Sequence, residues 1–175
     1  SLEEEVKKVV EEIKRRIEDD VRRIRELVER IKKLIEKDVT DLKRVVDENR
    51  DLAEKAKRIP KEDVDRVVRE VERSNDELRR HSEEVLRRVE RLIRELERHS
   101  REVIKRIEDT IRELRRRKVS EELLRELRRV LEEAREDSRR LLEEIRKVLE
   151  EAEEKSRRVL EESKRVNDEL RERLR

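Results

Sequence analysis

The sequence predicts an all-α fold, an up-down-up antiparallel three-helix bundle of long, nearly straight helices. The 175 residues include no glycine, no aromatic residue and one proline, while charged residues make up 59% of the chain. Leucine, isoleucine and valine recur with a helical period along the chain, which a disordered sequence has no reason to maintain. Two interruptions divide the chain into three segments of nearly equal length, so one domain spanning 1–175 is expected.

The first helix is predicted over about 2–58, and Ser1 and Glu4 have the spacing of a capping box at its start. Its apolar line repeats every eighteen residues, which is five turns of an ideal helix. We therefore expect the helix to run nearly straight instead of supercoiling, as a strict heptad would. The line consists of Val10, Ile13, Ile17, Val21, Ile24, Val28, Ile31, Ile35, Val39, Leu42 and Val46.

The second helix is predicted over about 60–117 and the third over about 121–174. Pro60 follows Ile59 and fits the first position of a helix, where its missing N–H is not needed. Ser120 is expected to be the N-cap of the third helix, because two acidic residues follow it. Such short connections force neighbouring helices to run antiparallel.

The composition argues against several classes of function. The 53 basic and 51 acidic residues are interleaved, so the net charge of +2 gives no patch for nucleic acid or an anionic membrane. Apolar runs are too short for a membrane span or a signal peptide. No cysteine is present, and we expect no cofactor.

Polar residues interrupt the apolar stripes in three pairs whose members are eighteen residues apart: Asp20 and Asp38, His81 and His99, Ser138 and Ser156. Facing residues of an antiparallel hairpin have a constant sum of residue numbers. The first turn predicts a sum near 119, which Asp20 with His99 and Asp38 with His81 both give. The second turn predicts a sum near 237, which His99 with Ser138 and His81 with Ser156 both give. Two buried polar layers are therefore predicted: Asp20, His99, Ser138 with neighbouring Ser100, and Asp38, His81, Ser156 with neighbouring Ser82.

A third, looser polar layer is predicted near the first turn. Ser74 and Ser163 also sum to 237, and Asn75 lies beside Ser74. Asn49 and Asn167 map to a height about one turn away. These five side chains are expected to form a cluster of amide and hydroxyl groups.

Three interpretations of the Asp–His–Ser layers compete. The structural one is favoured: a hydrogen-bonded polar layer penalises every helix register that would break it. A serine nucleophile with a histidine base has the right residue types, but no loop or glycine provides an oxyanion hole. One histidine and one aspartate per layer are too few for a closed zinc site. If the histidines lie at the edge of the stripe, they are solvated instead.

The eighteen-residue layering, the complete caps, the absent glycine and the Glu/Arg/Lys coat resemble de novo designed parametric helical bundles with buried hydrogen-bond networks. Spectrin-like repeats are the nearest natural comparison, but they have buried aromatic residues, which this chain lacks. The resemblance implies a structural scaffold with no natural biochemical activity and no catalytic, cofactor-binding or metal-binding residue.

No partner is required by this interpretation. The alternative is a helix-binding module, either the three-helix half of a designed heterodimer completed by a fourth helix or the subunit of a homo-oligomer. The width of the apolar stripes suits three-helix and four-helix packing alike. The direction of any acid sensitivity also stays open, because a nearby aspartate raises the pKa of a histidine and burial lowers it.

Overall fold

The computed structural model describes the backbone of residues 2–173 and the side chains of residues 4–173. It contains three helices, α1 (Leu2–Ala56), α2 (Lys61–Arg116) and α3 (Glu121–Glu172), and the described residues include no strand. The predicted all-α three-helix fold is confirmed. The predicted capping box depends on Ser1, which lies outside the described residues.

The helices form because their residues favour this backbone and because each helix has one apolar face. Leu, Glu, Arg and Lys have high helix propensity, and no glycine or proline falls inside α1, α2 or α3. The apolar residues lie on one face of each helix and the charged residues on the others. Within the described part of the chain, no helix is apolar over a length that could cross a membrane.

The connection from α1 to α2 ends at Pro60. The carbonyl of Pro60 accepts hydrogen bonds from the backbone N–H groups of Asp63 at 2.9 Å and Val64 at 3.3 Å. Pro60 therefore caps α2 one residue before its first helical residue, Lys61, whereas the sequence placed Pro60 inside the helix. The reason is that its carbonyl already accepts the first helical bond while its ring nitrogen has no hydrogen to donate.

The connection from α2 to α3 closes with a left-handed residue. Lys118 has a φ of 58°, its N–H donates to the carbonyl of Arg115, and the N–H of Val119 donates to the carbonyl of Leu114. This pair of bonds is a Schellman motif, which satisfies the free carbonyls at a helix end. Ser120 then caps α3, as predicted, because its Oγ accepts the N–H of Leu123 at 3.4 Å.

The contacts divide the chain into two compact units, each built from all three helices. Unit 1 comprises Ser1–Ile31 and Arg91–Arg146, and unit 2 comprises Lys32–Glu90 and Lys147–Arg175. The core of unit 1 is aliphatic and contains Val10, Ile17, Val103, Ile107, Ile111, Leu114, Leu124, Leu127, Leu131 and Ala134. Two clusters form the core of unit 2, one of Ala56, Val64, Val68, Val71 and Leu170, the other of Leu42, Val46 and Leu78.

Ion pairs join the helices at the surface of each unit. In unit 1, for example, Lys14 of α1 pairs with Glu126 of α3. In unit 2, Arg50 of α1 pairs with Glu162 of α3. Each pair is at least partly exposed, so solvent screens its attraction and the pairs add little to stability individually. The aliphatic clusters therefore hold the helices together, and the charged surface surrounds them.

Candidate functional site

Hydrogen-bonded polar side chains from all three helices meet inside unit 2. The side-chain Nδ2 of Asn49 on α1 donates to Oδ1 of Asn75 on α2 at 2.9 Å. The hydroxyl of Ser163 on α3 donates to the same Oδ1, and Nδ2 of Asn75 donates to the backbone carbonyl of Ser163 at 3.5 Å. Asn75 thus connects α1 to α3, because its amide oxygen can accept two hydrogen bonds. We call Asn49, Asn75 and Ser163 the amide layer.

The amide layer lies where the sequence predicted its loosest cluster, but with a different partner for Ser163. The constant-sum rule paired Ser163 with Ser74, whereas the structure pairs it with the adjacent Asn75. Both residues are half-buried on α2, and the longer asparagine side chain reaches across to α1 and α3. Ser74 has no hydrogen bond to the amide layer.

Asn167 sits next to the amide layer and bonds to a residue that the sequence did not single out. Its Nδ2 donates to Oε1 of Glu72 at 3.3 Å, while its buried Oδ1 has no hydrogen-bond partner. Glu72 also forms an ion pair with Arg171. No signal in the sequence distinguishes Glu72, since glutamates occur all along the solvent faces of the three helices.

The predicted layer around Asp38 forms only in part, and His81 is not buried in it. Asp38 is 4% exposed, and the hydroxyl of Ser82, itself 2% exposed, donates to its Oδ2 at 3.2 Å. Ser156 is buried, but its Oγ has no hydrogen-bond partner. The prediction of a buried His81 is wrong, because this side chain is exposed. Ser82 takes the inward position because neighbouring residues on a helix point about 100° apart.

Burial dominates the electrostatics of Asp38. Removal of the carboxyl from water raises its pKa above the ordinary value of 3.8. The hydrogen bond from Ser82 and the charge of His81 act in the opposite direction, and neighbouring Asp41 adds to the increase. The second carboxyl oxygen, Oδ1, is buried without any hydrogen-bond partner. Folding therefore shifts the equilibrium of Asp38 towards its neutral form relative to the unfolded chain.

The corresponding residues of unit 1 differ in burial from those around Asp38. Asp20 and His99 are half-buried, whereas Ser100 and Ser138 are buried. Of these described side chains, none forms a hydrogen bond with another member of the layer. The serine after the histidine again takes the inward position. The complete Asp20–His99–Ser138 network therefore stays a prediction, and the observed hydrogen-bonded side chains are those of unit 2.

Among the described residues, the layer around Asp38 lacks the histidine–serine contact of a serine nucleophile. The buried partner of Asp38 is a serine, and the exposed His81 does not act on a serine hydroxyl. Ser82 and Ser156 lie inside regular helices, whose backbone N–H groups are already bonded and cannot form an oxyanion hole. Among the described residues, no group of three or more His, Cys, Asp or Glu side chains could hold a metal ion.

A groove follows α2 and α3 along unit 2. Its volume is about 690 Å³, and Asn75, Ser82, Ser156 and Asn167 are among the residues that line it. Charged side chains of both signs lie along its rim. Four of the polar residues of unit 2 therefore line an open groove on its surface.

Comparisons with known proteins give one structural likeness. No family model matches the chain, and no curated protein matches it. A solved structure described as a "Computationally designed three helix bundle" is 14% identical in sequence, with a TM-score of 0.44. The alignment covers 98% of this chain and 85% of that one.

Proposed function

We propose that the chain is a designed structural scaffold, a three-helix bundle whose polar side chains determine which helix faces meet and in which register. The observation that carries this proposal is the amide layer, because its hydrogen bonds join Asn49 of α1, Asn75 of α2 and Ser163 of α3. The layer lies between aliphatic clusters that offer little register information of their own. A polar group at a single position along each helix can determine the register, because its hydrogen bonds form only when the helices are correctly aligned.

The energetics of buried amides explain how such a layer acts. A satisfied neutral hydrogen bond contributes only about 0.5–1.5 kcal/mol net, because the same groups bond to water in the unfolded chain. A buried group left without a partner costs about 1–3 kcal/mol. Sliding α2 by a turn would break all of these hydrogen bonds, and sliding α1 would leave Asn49 without its acceptor. The layer thus destabilises incorrect registers more than it stabilises the correct one.

A designed origin is supported by features of the whole chain. The apolar line repeats every eighteen residues, glycine is absent, and the two signs of charge alternate along every helix. Acidic residues begin α2 and α3, and basic residues end all three helices, as the helix dipole favours. Local propensity, capping and core pattern all favour the same fold, which is the aim of idealised design.

Replacing the whole amide layer tests the proposal. In the triple variant Asn49→Leu, Asn75→Leu, Ser163→Ala we expect a free energy of unfolding equal to or above that of the original chain, because no polar group is left stranded. We also expect loss of a unique packing, seen as several oligomeric species by light scattering and as extra amide resonances by NMR.

The matched control is the single substitution Asn75→Ala. It leaves the amide of Asn49 and the hydroxyl of Ser163 without their acceptor, so we expect a loss of about 1–3 kcal/mol for each stranded group. A triple variant that stays monomeric, with one set of resonances, would show that the layer does not determine register and would contradict the proposal.

We propose no enzymatic role for the chain. A serine nucleophile would need a histidine base in contact with its hydroxyl, and His81 is exposed while the buried Ser82 bonds to Asp38. The half-buried His99 has no hydrogen bond to Ser138. We therefore interpret these residues as structural, not catalytic.

The alternative is a helix-binding module, in which a partner helix or a second copy covers an open face. The groove along α2 and α3 in unit 2 favours this alternative, since polar side chains line it beside half-buried Leu86 and Leu160. Against it, the large apolar side chains that are exposed in the described residues are Val9 and Ile59, which lie far apart in sequence. A helix-binding surface needs a continuous apolar patch.

A further inference from the structure

The layer around Asp38 contains polar atoms that lack partners, and the scaffold role does not explain them. Asp38 accepts one hydrogen bond, from Ser82 to its Oδ2. Its other oxygen, Oδ1, is buried without a partner, and so is the hydroxyl of Ser156 on α3. An ionised carboxylate is acceptor-only, and both of its oxygens need donors when water is excluded. One hydrogen bond is too few for a buried negative charge.

We propose that Asp38 is a proton-binding site: the folded chain takes up one proton at this carboxyl on mild acidification, and unit 2 is more stable in the protonated state. Protonation removes the charge and converts one carboxyl oxygen into a donor. A neutral carboxyl costs less free energy to bury than a carboxylate. Ser156 belongs to the same predicted layer as Asp38, and its buried hydroxyl oxygen, which has no partner, can accept the new O–H.

The charged groups around Asp38 do not compensate for its burial. On α1, Asp41 disfavours a second negative charge, and on α2 the exposed His81 favours the ionised form when it is itself charged. Water screens the charge of an exposed histidine, so its attraction is weaker than the cost of burial.

The charges of the side chains on the groove rim also cancel. On the α2 side, Arg79 and Glu83 carry opposite charges, and on the α3 side Glu153 and Arg157 do the same. The residue that α3 contributes to the layer, Ser156, is uncharged. The pKa of Asp38 is raised in agreement with this picture, with burial as the largest cause.

The sign of the linkage follows from these facts. Asp38 in the unfolded chain titrates near its ordinary value of 3.8, and in the folded chain at a higher pH. As the pH falls through the folded value, the folded chain binds a proton that the unfolded chain does not, so stability attributable to this site increases. The gain is complete below 3.8 and is lost as the pH rises through the folded value.

The experiment compares the original chain with Asp38→Asn, a neutral isostere, by urea unfolding at several pH values between 7 and 3.8. The comparison is needed because the many surface carboxylates also respond to pH. We expect the unfolding constant of the original chain, divided by that of the variant, to fall as the pH is lowered. The decrease is up to about tenfold per pH unit in the window where Asp38 is protonated in the folded chain only. A ratio that does not change with pH would overturn the proposal.

The control is Asp20→Asn, which removes the carboxyl five turns earlier on α1, where the side chain is half-buried. An equal change of ratio for both variants would overturn the proposal, because a general carboxylate effect would explain it. A titration of the original chain with ¹³C-labelled aspartate supplies a reading that needs no variant to fold. We expect the Asp38 carboxyl to titrate at higher pH in the folded chain than in urea, and coincident midpoints would contradict the site.

Discussion

At the residue scale, the buried polar positions follow from helical geometry, but the choice between neighbours does not. Asp38, Asn49 and Ser163 lie on the apolar stripes, and all three are buried. The histidines are each followed by a serine, and both serines, Ser82 and Ser100, are the buried members of their pairs. The sequence predicted that both neighbours point inward, with the histidines nearer the edge of the stripe, and for His81 this is wrong. The small hydroxyl fits between the helices, whereas the imidazole remains closer to water.

Alanine substitutions at the neighbouring residues His81 and Ser82 test this assignment. Ser82→Ala removes the observed donor to Asp38, so we expect a loss of about 1–3 kcal/mol in the free energy of unfolding near neutral pH. His81→Ala changes an exposed side chain, and we expect an effect within about 0.5 kcal/mol. Both values come from urea unfolding. A larger loss for His81→Ala than for Ser82→Ala would reinstate histidine as the buried partner.

At the element scale, the N-cap of α3 was predictable, whereas the left-handed cap of α2 was not. The sequence identifies Ser120 as the N-cap of α3, and its hydroxyl oxygen accepts the predicted kind of bond. The Schellman motif that precedes it places Lys118 at a φ of 58°, a position that glycine usually occupies. No sequence pattern marks Lys118, because the motif arises from the need to satisfy carbonyls at the end of α2 and not from residue type.

Lys118→Gly is therefore expected to stabilise the chain. The left-handed conformation costs a residue with a side chain about 1–2 kcal/mol, and glycine avoids this cost. Part of the resulting stabilisation is lost, because glycine has more conformational freedom in the unfolded chain. We expect a net increase of about 0.5–1 kcal/mol in the free energy of unfolding, measured by thermal or urea denaturation. Lys57→Gly, in the other connection, is the comparison variant. A loss of stability in Lys118→Gly would mean that the observed turn is not the one populated in solution.

At the scale of the whole molecule, the fold class was predictable because every level of the sequence favours it. The apolar period, the two short connections and the charge pattern all indicate three antiparallel helices, and the structure has three. The division of contacts into two units was not predictable, because the same eighteen-residue pattern continues through both. The hydrogen bonds of the amide layer were predictable only as a cluster, since one residue's shift along α2 exchanges Ser74 for Asn75.

At the same scale, our central proposal is that one chain closes its own helical core and needs no partner. The molecular mass in solution, measured by sedimentation equilibrium over a wide range of protein concentrations, tests it most directly. We predict a single species of 21.7 kDa at every concentration. A stable species of twice that mass would contradict the account, because it would show that a second copy covers a face which the scaffold proposal treats as solvent-exposed.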